Sequence, residues 1–594
     1  MTVGIASLIS GNLDIWTPAV VQKSGAGRGG GKRVSFYGID RLRALILDLS
    51  VRGKLVPQDP SDEPVAELLQ RIKKKKAQRV RDGEMRKPRE LDNLPKLKVP
   101  FAIPETWQWV RLDEVGEIVG GGTPPAGNAS NFVDGGKGVP WLTPADLGGY
   151  KKRYISHGER DLTEGALNAS SATMMPAGSV LFTSRAPIGY VVIAANPIST
   201  NQGFKSIVPY NAECALFVAL VMKSFAKAIN DSAPGTTFKE VSGKMVAAVP
   251  IPLPPLPEQQ RIVAKVDELM AICNSLEEES AAGMAAHQVL VEALLATLTA
   301  TSADASDLAL NWVRLEAHFD TLFSTDASVD VLKETILELA VRGKLAPQNP
   351  SDEPAPVLVR NIQTEKARLV AENQLRREKP TSPLDHRELP FPAPTGWVWT
   401  KIGEVALFTQ YGTSENTTVG LEGVPVLAMG NINNGLVDLN SRKLLPFSSD
   451  ELPELFLKYG DLLYNRTNSY ELVGKTGLFL GPDDSYTFAS YLIRIRLKPD
   501  TILPTYLNLV MNSPYFRNTQ VVPRITKQTG QANVSGGAMR DMLVPIPPFP
   551  EQCRIMSRVG ELAALCGALR ADIAAAAETQ QRLADAVVKG ATAS

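Results

Sequence analysis

From residue 262 onward, Ile262, Val266, Leu269, Cys273 and Leu276 recur at alternating steps of four and three, and Ile555, Val559, Leu562, Cys566 and Leu569 do the same. That spacing lays one apolar stripe along a helix. It predicts two long amphipathic helices, 257–303 and 550–594, with Ile262, Val266, Leu269, Leu276, Ile555, Val559, Leu562 and Leu569 as packing positions. The stripe extends to Leu290 and Leu294 in the first and to Leu583 and Val587 in the second. Upstream of each helix the pattern changes. Over 100–256 and 390–549, short β-branched and aromatic runs such as GYVVI at 189–193 alternate with Gly, Pro and Asn turns, which predicts two β-rich domains. The prolines at the end of each domain stop the strand pattern before helix begins.

These paired features belong to an internal repeat. Residues 51–64 read VRGKLVPQDPSDEP and residues 341–354 read VRGKLAPQNPSDEP, twelve identities in fourteen positions at an offset of 290. The order continues: Trp107 and Trp109 answer Trp397 and Trp399, GVP at 138–140 answers GVP at 423–425, and GSVLF at 178–182 answers GDLLY at 460–464. VPIPLPPLPEQQRI at 249–262 returns as VPIPPFPEQCRI at 544–555. Between these anchors the copies diverge, as expected of one scaffold carrying two different surfaces. Helices at 42–51 and 332–341 open the two copies, with Ile46 and Leu49 matching Ile336 and Leu339. The predicted order is a flexible segment 1–40, a helical region 41–99, a β-rich domain 100–256, the long helix 257–303 and a linker 304–330. A helical region 331–389, a second β-rich domain 390–549 and the long helix 550–594 complete it. The fold class is α+β.

Composition changes this picture little. With 63 basic and 63 acidic residues the net charge is zero, so the chain is not built to coat nucleic acid indiscriminately, although a local basic face is compatible with that balance. One such run is 71–98, with twelve Lys or Arg against four Asp or Glu, including Lys73, Lys74, Lys75 and Lys76. It reads either as a solvated helix face or as a phosphate contact. Four cysteines without a CxxC pair, and four scattered histidines, predict a reducing cytosol and no metal site. No run reaches the roughly 18 apolar residues of a membrane span, and no signal peptide opens the chain, so a cytoplasmic protein without membrane partners is expected.

Three motifs mimic catalysis by spelling. GAGRGG at 25–30 fits GxGxxG, but no strand precedes it. GKT at 474–476 ends like a phosphate-binding loop, yet Ser469 occupies the position of the first glycine. IPPF at 546–549 is similar to the motif of amino-methyltransferases, but Ile546 cannot accept hydrogen bonds from a flipped base. No catalytic residues are assigned.

Two divergent β-rich domains, each running through Pro-Glu-Gln into a long helix, resemble the specificity subunits of type I restriction-modification systems, from about residue 40 to the end of the chain. The VPIPLPPLPEQQRI and VPIPPFPEQCRI passages and the two GKL-containing helices carry the resemblance. It implies two target-recognition domains in a pseudo-two-fold repeat, held apart by long antiparallel coiled-coil helices, each domain reading one half of a bipartite double-stranded DNA target. It also implies two methyltransferase subunits using S-adenosylmethionine and restriction subunits using ATP and magnesium, with no cofactor on this chain. A helix of about 42 residues spans roughly 63 Å, enough to set two domains about one DNA turn, roughly 34 Å, apart. Thr183, Ser184 and Arg185 stand at a strand-turn position equivalent to that of Asn465, Arg466 and Asn468, and these residues, together with Tyr190 and Lys475, are candidate DNA contacts. Arginine offers paired donors to guanine or phosphate, and asparagine pairs with adenine. A second matched pair of turns, each before Val-Ser-Gly, contributes Thr237 and Lys239 in one copy and Gln528 and Gln531 in the other. The competing reading of the arginines is structural, bonding loop carbonyls. The competing reading of the whole chain is a coiled-coil adaptor without DNA specificity.

Overall fold

The computed structural model describes residues 5–23, 33–83, 99–125, 128–235, 239–299, 305–385, 387, 389–417, 422–528 and 530–593. The chain divides into two units, one of Met1–Ala282 with Ala576–Ser594, the other of Gly283–Ala575.

In the first unit the strand Gln108–Arg111 pairs antiparallel with Pro250–Leu253, Val110 opposite Ile251, so the β domain is entered and left side by side. Its main sheet has five strands, in the order Gly116–Gly120, Lys205–Pro209, Val180–Ser184, Ile188–Ala194 and Tyr154–Ile155. Val180–Ser184 is buried at all five positions and holds the centre of the sheet. The apolar helix Ala215–Ser232 packs on this sheet. In the second unit Val398–Lys401 pairs with Leu543–Ile546 in the same way. The larger sheet there runs Ala406–Tyr411, Leu492–Leu497, Leu462–Asn465, Thr476–Leu478, Leu436–Val437 and Ile432–Asn433.

The Pro-Glu-Gln passages act as joints. Gln259 donates to the Pro254 carbonyl at 3.0 Å; Gln552 donates to Pro547 at 3.1 Å and accepts from the Leu503 amide at 2.7 Å. Arg261 pairs with Asp62 at 2.7 Å and Arg554 with Asp352 at 2.7 Å, which explains why SDEP recurs: its aspartate holds the first turns of the long helix. Glu258 and Glu551 are buried between these contacts. Burial pushes both carboxyls up; the indoles of Trp107 and Trp397 approach them without closing a hydrogen bond.

The long helices are Leu256–Thr299 and Phe549–Ala593. Ile262, Val266, Leu269 and Cys273 are buried and Leu276 is half-buried. In the other helix Ile555 and Cys566 are buried, with Val559, Leu562 and Leu569 half-buried. Further along, the expected positions Leu290 and Leu583 are exposed, and their neighbours Val291 and Ala584 are buried instead. A straight helix drifts about 20° per heptad against a strict 3.5-residue repeat, which moves the inward face on by one residue over such a length. By length and composition the first long helix could cross a membrane. Its Val291, Leu295 and Leu298 face, however, is buried in a protein core with Leu315, Leu322, Ile336 and Cys566.

Two expectations are corrected. The segment 1–40 is not simply flexible: it forms helices Ile5–Ser10 and Leu13–Trp16 and a hairpin of Val21–Lys23 with Arg33–Ser35. Trp16 is fully buried, and a Cβ on Gly38 would stand 2.4 Å from the Trp16 carbonyl oxygen, so only glycine fits there. The GAGRGG motif lies outside the described residues. The stretch 304–330 is largely helical, with Ala305–Ala317, Phe319–Leu322 and the start of Asp326–Val341. Leu315, Leu322 and Phe323 anchor it in the second unit's core.

Candidate nucleic-acid interface

In the first unit the central strand delivers Thr183 and Ser184 into the interior. Both are fully buried: Thr183 Oγ1 accepts from the Tyr190 amide at 2.8 Å, and Ser184 Oγ donates to the Gly203 carbonyl at 3.1 Å. They fasten the sheet and do not meet solvent, contrary to expectation. Tyr190 is half-buried against the cluster around Leu142 and Phe204. Arg185, one residue past the strand, is the first to emerge, with its side chain 36% exposed and Nη1 3.6 Å from Glu240 Oε2. Lys205 stands 3.8 Å from the other oxygen of Glu240. The Val241 amide bonds to the Ser184 carbonyl at 3.0 Å, bringing the two sequence-distant candidate segments together. Lys239 is exposed and its Nζ donates to the Asn230 carbonyl at 3.3 Å. Thr237 lies outside the described residues.

The second unit repeats the convergence with different chemistry. Asn465 is buried, its backbone bonded to Lys475 and Gly474, so it is a strand residue and not a surface reader. Arg466 is half-buried with its guanidinium 4.9 Å from the centre of the Tyr411 ring and Nη1 3.5 Å from the Ser490 carbonyl. The bond to the Ser490 carbonyl is the kind of contact that the structural reading of this arginine expects. Asn468 lies on Thr467–Asn468, which joins Gln531–Asn533 and Thr526–Gln528 in a three-stranded sheet. Lys527 and Gln531 are exposed on that sheet, and the Gln528 backbone pairs with Gln531; the Gln528 side chain and Thr529 lie outside the described residues. Lys475 is exposed on the turn entering Thr476–Leu478, where Gly474 adopts φ +90° against Val521. GKT is therefore a hairpin turn packed on a side chain, not a phosphate cradle.

Sequence reasoning missed Lys205 and Tyr411, which carry no local motif and reach the site only through strand pairing. The Tyr411 hydroxyl accepts from the Gly536 amide at 2.7 Å and its ring supports Arg466, while Tyr470, four residues further on, and Tyr491, whose carbonyl accepts from the Arg466 amide at 3.0 Å, are exposed. Arg494 looks similar in sequence but is structural: it is buried, bonded to the Phe456 and Glu454 carbonyls at 2.6 and 2.7 Å, and burial pulls it down to about 10. Burial pushes the Cys214 and Cys273 thiols up to about 11, consistent with packing roles. Among the described residues no three His, Cys, Asp or Glu gather as a metal site.

Two β domains, one presenting a cluster of cationic side chains and the other cationic and amide side chains, define a recognition protein. Residues 104–283 match the family described as the type I restriction modification DNA specificity domain. The specificity subunit of the type I restriction enzyme EcoEI from Escherichia coli is 33% identical, with 99% of both chains covered, and that of EcoAI from Escherichia coli is 32% identical over the same share. The HsdS subunit from Thermoanaerobacter tengcongensis aligns at 18% identity and TM-score 0.36, covering 83% of this chain and 98% of that one. The chain belongs to the type I restriction enzyme specificity subunits. It is the non-catalytic DNA-specificity component of such a system, and the adaptor reading is not favoured.

Proposed function

We propose that each unit reads one half of a bipartite double-stranded DNA target, through Arg185 with Lys205 and Lys239 in the first and through Asn468, Lys475, Lys527 and Gln531 around Arg466 in the second. The observation that carries this reading is convergence: in both units two segments far apart in sequence meet at the same place on the scaffold. The clusters differ in chemistry, so the half-sites differ in sequence. The two long helices form an antiparallel coiled coil that sets the spacer. What supports this is that the first unit holds the start of one long helix and the end of the other, and the second unit the reverse. Two methyltransferase subunits using S-adenosylmethionine act at the bound site, and restriction subunits using ATP and magnesium cut DNA, in the cytoplasm. Methylome sequencing of a host carrying the chain with its methyltransferase tests the reading: a split adenine motif is expected, and a continuous motif would overturn it.

A further inference from the structure

The helix Val65–Arg81 carries Arg71, Lys73, Lys74, Lys75, Lys76, Arg79 and Arg81. Arg71 pairs with Glu63, and the other cations divide into two sets. Lys75 donates to Asn211 Oδ1 at 2.9 Å, Lys76 to the Asp113 carbonyl at 3.2 Å, and Arg79 reaches Glu117 at 3.4 Å; these turn toward the β domain. Lys73, Lys74 and Arg81 are exposed and have no partner among the described residues.

The repeat supplies an internal control. At the offset of 290, Lys76 corresponds to Lys366 and Asp113 to Gly403. Lys366 Nζ donates to the Gly403 carbonyl at 3.2 Å, the same bond in the second unit. The scaffold lysine is thus present in both copies. Lys73, Lys74 and Arg81 correspond to Gln363, Thr364 and Ala371, so the scaffold folds without outward charge at these positions. A solvated face needed only for folding would not explain three cations on one copy alone that have no partner among the described residues.

Their location points to the ligand. Glu117, which holds Arg79, lies on the strand Gly116–Gly120; three residues along it Gly120 pairs with Lys205, a member of the Arg185 cluster. Three strand residues span about 10 Å. Lys74 and Arg81 are seven residues apart, about 10 Å along the helix axis. On one DNA strand a phosphate occurs every 3.4 Å or so of axis. We propose that Lys73, Lys74 and Arg81 grip the phosphate backbone of the DNA flanking the first half-site, without reading bases, so that the first unit holds its side of the target more tightly than the second. This rests on the proposed reading of DNA by the Arg185 cluster.

The test substitutes the sister residues together, Lys73→Gln, Lys74→Thr and Arg81→Ala, in the full chain assembled with its methyltransferase. Binding of a duplex carrying the methylated motif is measured against salt concentration, beside a duplex with both half-sites scrambled. Each lost phosphate contact lowers the slope of log affinity against log salt by about 0.9, so a fall of roughly 2 to 3 is expected on both duplexes, with an unchanged motif and melting temperature. The difference should disappear when the flank beyond the first half-site is trimmed, and persist when the other flank is trimmed. An unchanged slope, altered base preference, or lost assembly with the methyltransferase at unchanged DNA affinity would each overturn the proposal; the last would assign the face to a protein partner. If the unsubstituted complex fails to distinguish the motif from scrambled DNA, the parent reading fails instead.

Discussion

Replacing Arg185 by alanine separates recognition from folding. Its ion pair with Glu240 is 3.6 Å long, and both side chains are more than a third exposed. Such a pair contributes about 0 to 1 kcal/mol, so the melting temperature should fall by less than about 4 °C. A bidentate contact to a base contributes about 1 to 3 kcal/mol of discrimination, and since 1.4 kcal/mol is about tenfold, Arg185→Ala should lose about 5- to 150-fold preference at one base pair. Arg466 is a contrasting case. It lies over the Tyr411 ring and bonds the Ser490 carbonyl, and a cation–aromatic contact alone contributes about 0.5 to 2 kcal/mol. Arg466→Ala should therefore lower the melting temperature more, alongside any change in the second half-site. The assay is the methylation rate of the reconstituted complex on the cognate duplex and on every single-base variant of each half-site. If Arg185→Ala keeps full discrimination, or weakens every sequence equally, the base-reading role of Arg185 is wrong.

Further perturbations address the scaffold. Glu258 and Glu551 have carboxyls raised by burial, so their stabilising contribution is complete below the ordinary carboxyl range and is lost as pH rises through the raised folded value. Glu258→Gln and Glu551→Gln should match the parent's melting temperature near pH 4 and exceed it near pH 8; a gain confined to acid would contradict this. Trp16→Ala should cost about 3 to 5 kcal/mol by calorimetry, because the indole is wholly enclosed, whereas a negligible effect would return the N-terminal segment to a flexible role. Four residues inserted after Glu279 add about 6 Å of helix. At roughly 3.4 Å per base pair the methylated motif's spacer should then lengthen by one or two pairs, and an active variant with its old spacer would show that this helix does not set the distance.

What could be read from sequence depended on the range over which the cause acts. The long helices were legible because a stripe such as Ile262, Val266, Leu269 and Cys273 is a local signal, and the two β-rich domains because short β-branched runs between Gly, Pro and Asn turns are local as well. Thr183, Ser184 and Asn465 were misplaced because a polar residue ending a strand looks the same whether its partner is water or a backbone group elsewhere in the fold; for Ser184 that group is Gly203. The order around Trp16 was missed for the same reason, since it depends on close approach by Gly38 from another helix. Among the described side chains of the helix Ala305–Ala317 only Leu315 is buried, which leaves no clear stripe there. Candidate turns could be named from sequence, but only strand pairing shows that Asn468 and Gln531 share a sheet.

The closing contacts of the first unit are made by residues from far along the chain: Tyr37 donates to Asp585 at 2.9 Å and Arg41 pairs with it at 2.6 Å. On the ribosome this imposes an order. The second unit is one uninterrupted stretch of roughly 300 residues and can be completed as it emerges, whereas the first waits for a segment synthesised after it. At about 5 to 20 residues per second that delay is roughly 15 to 60 s. The half of the protein made first is thus finished last, and a nascent chain interrupted within the second unit carries an unclosed first unit.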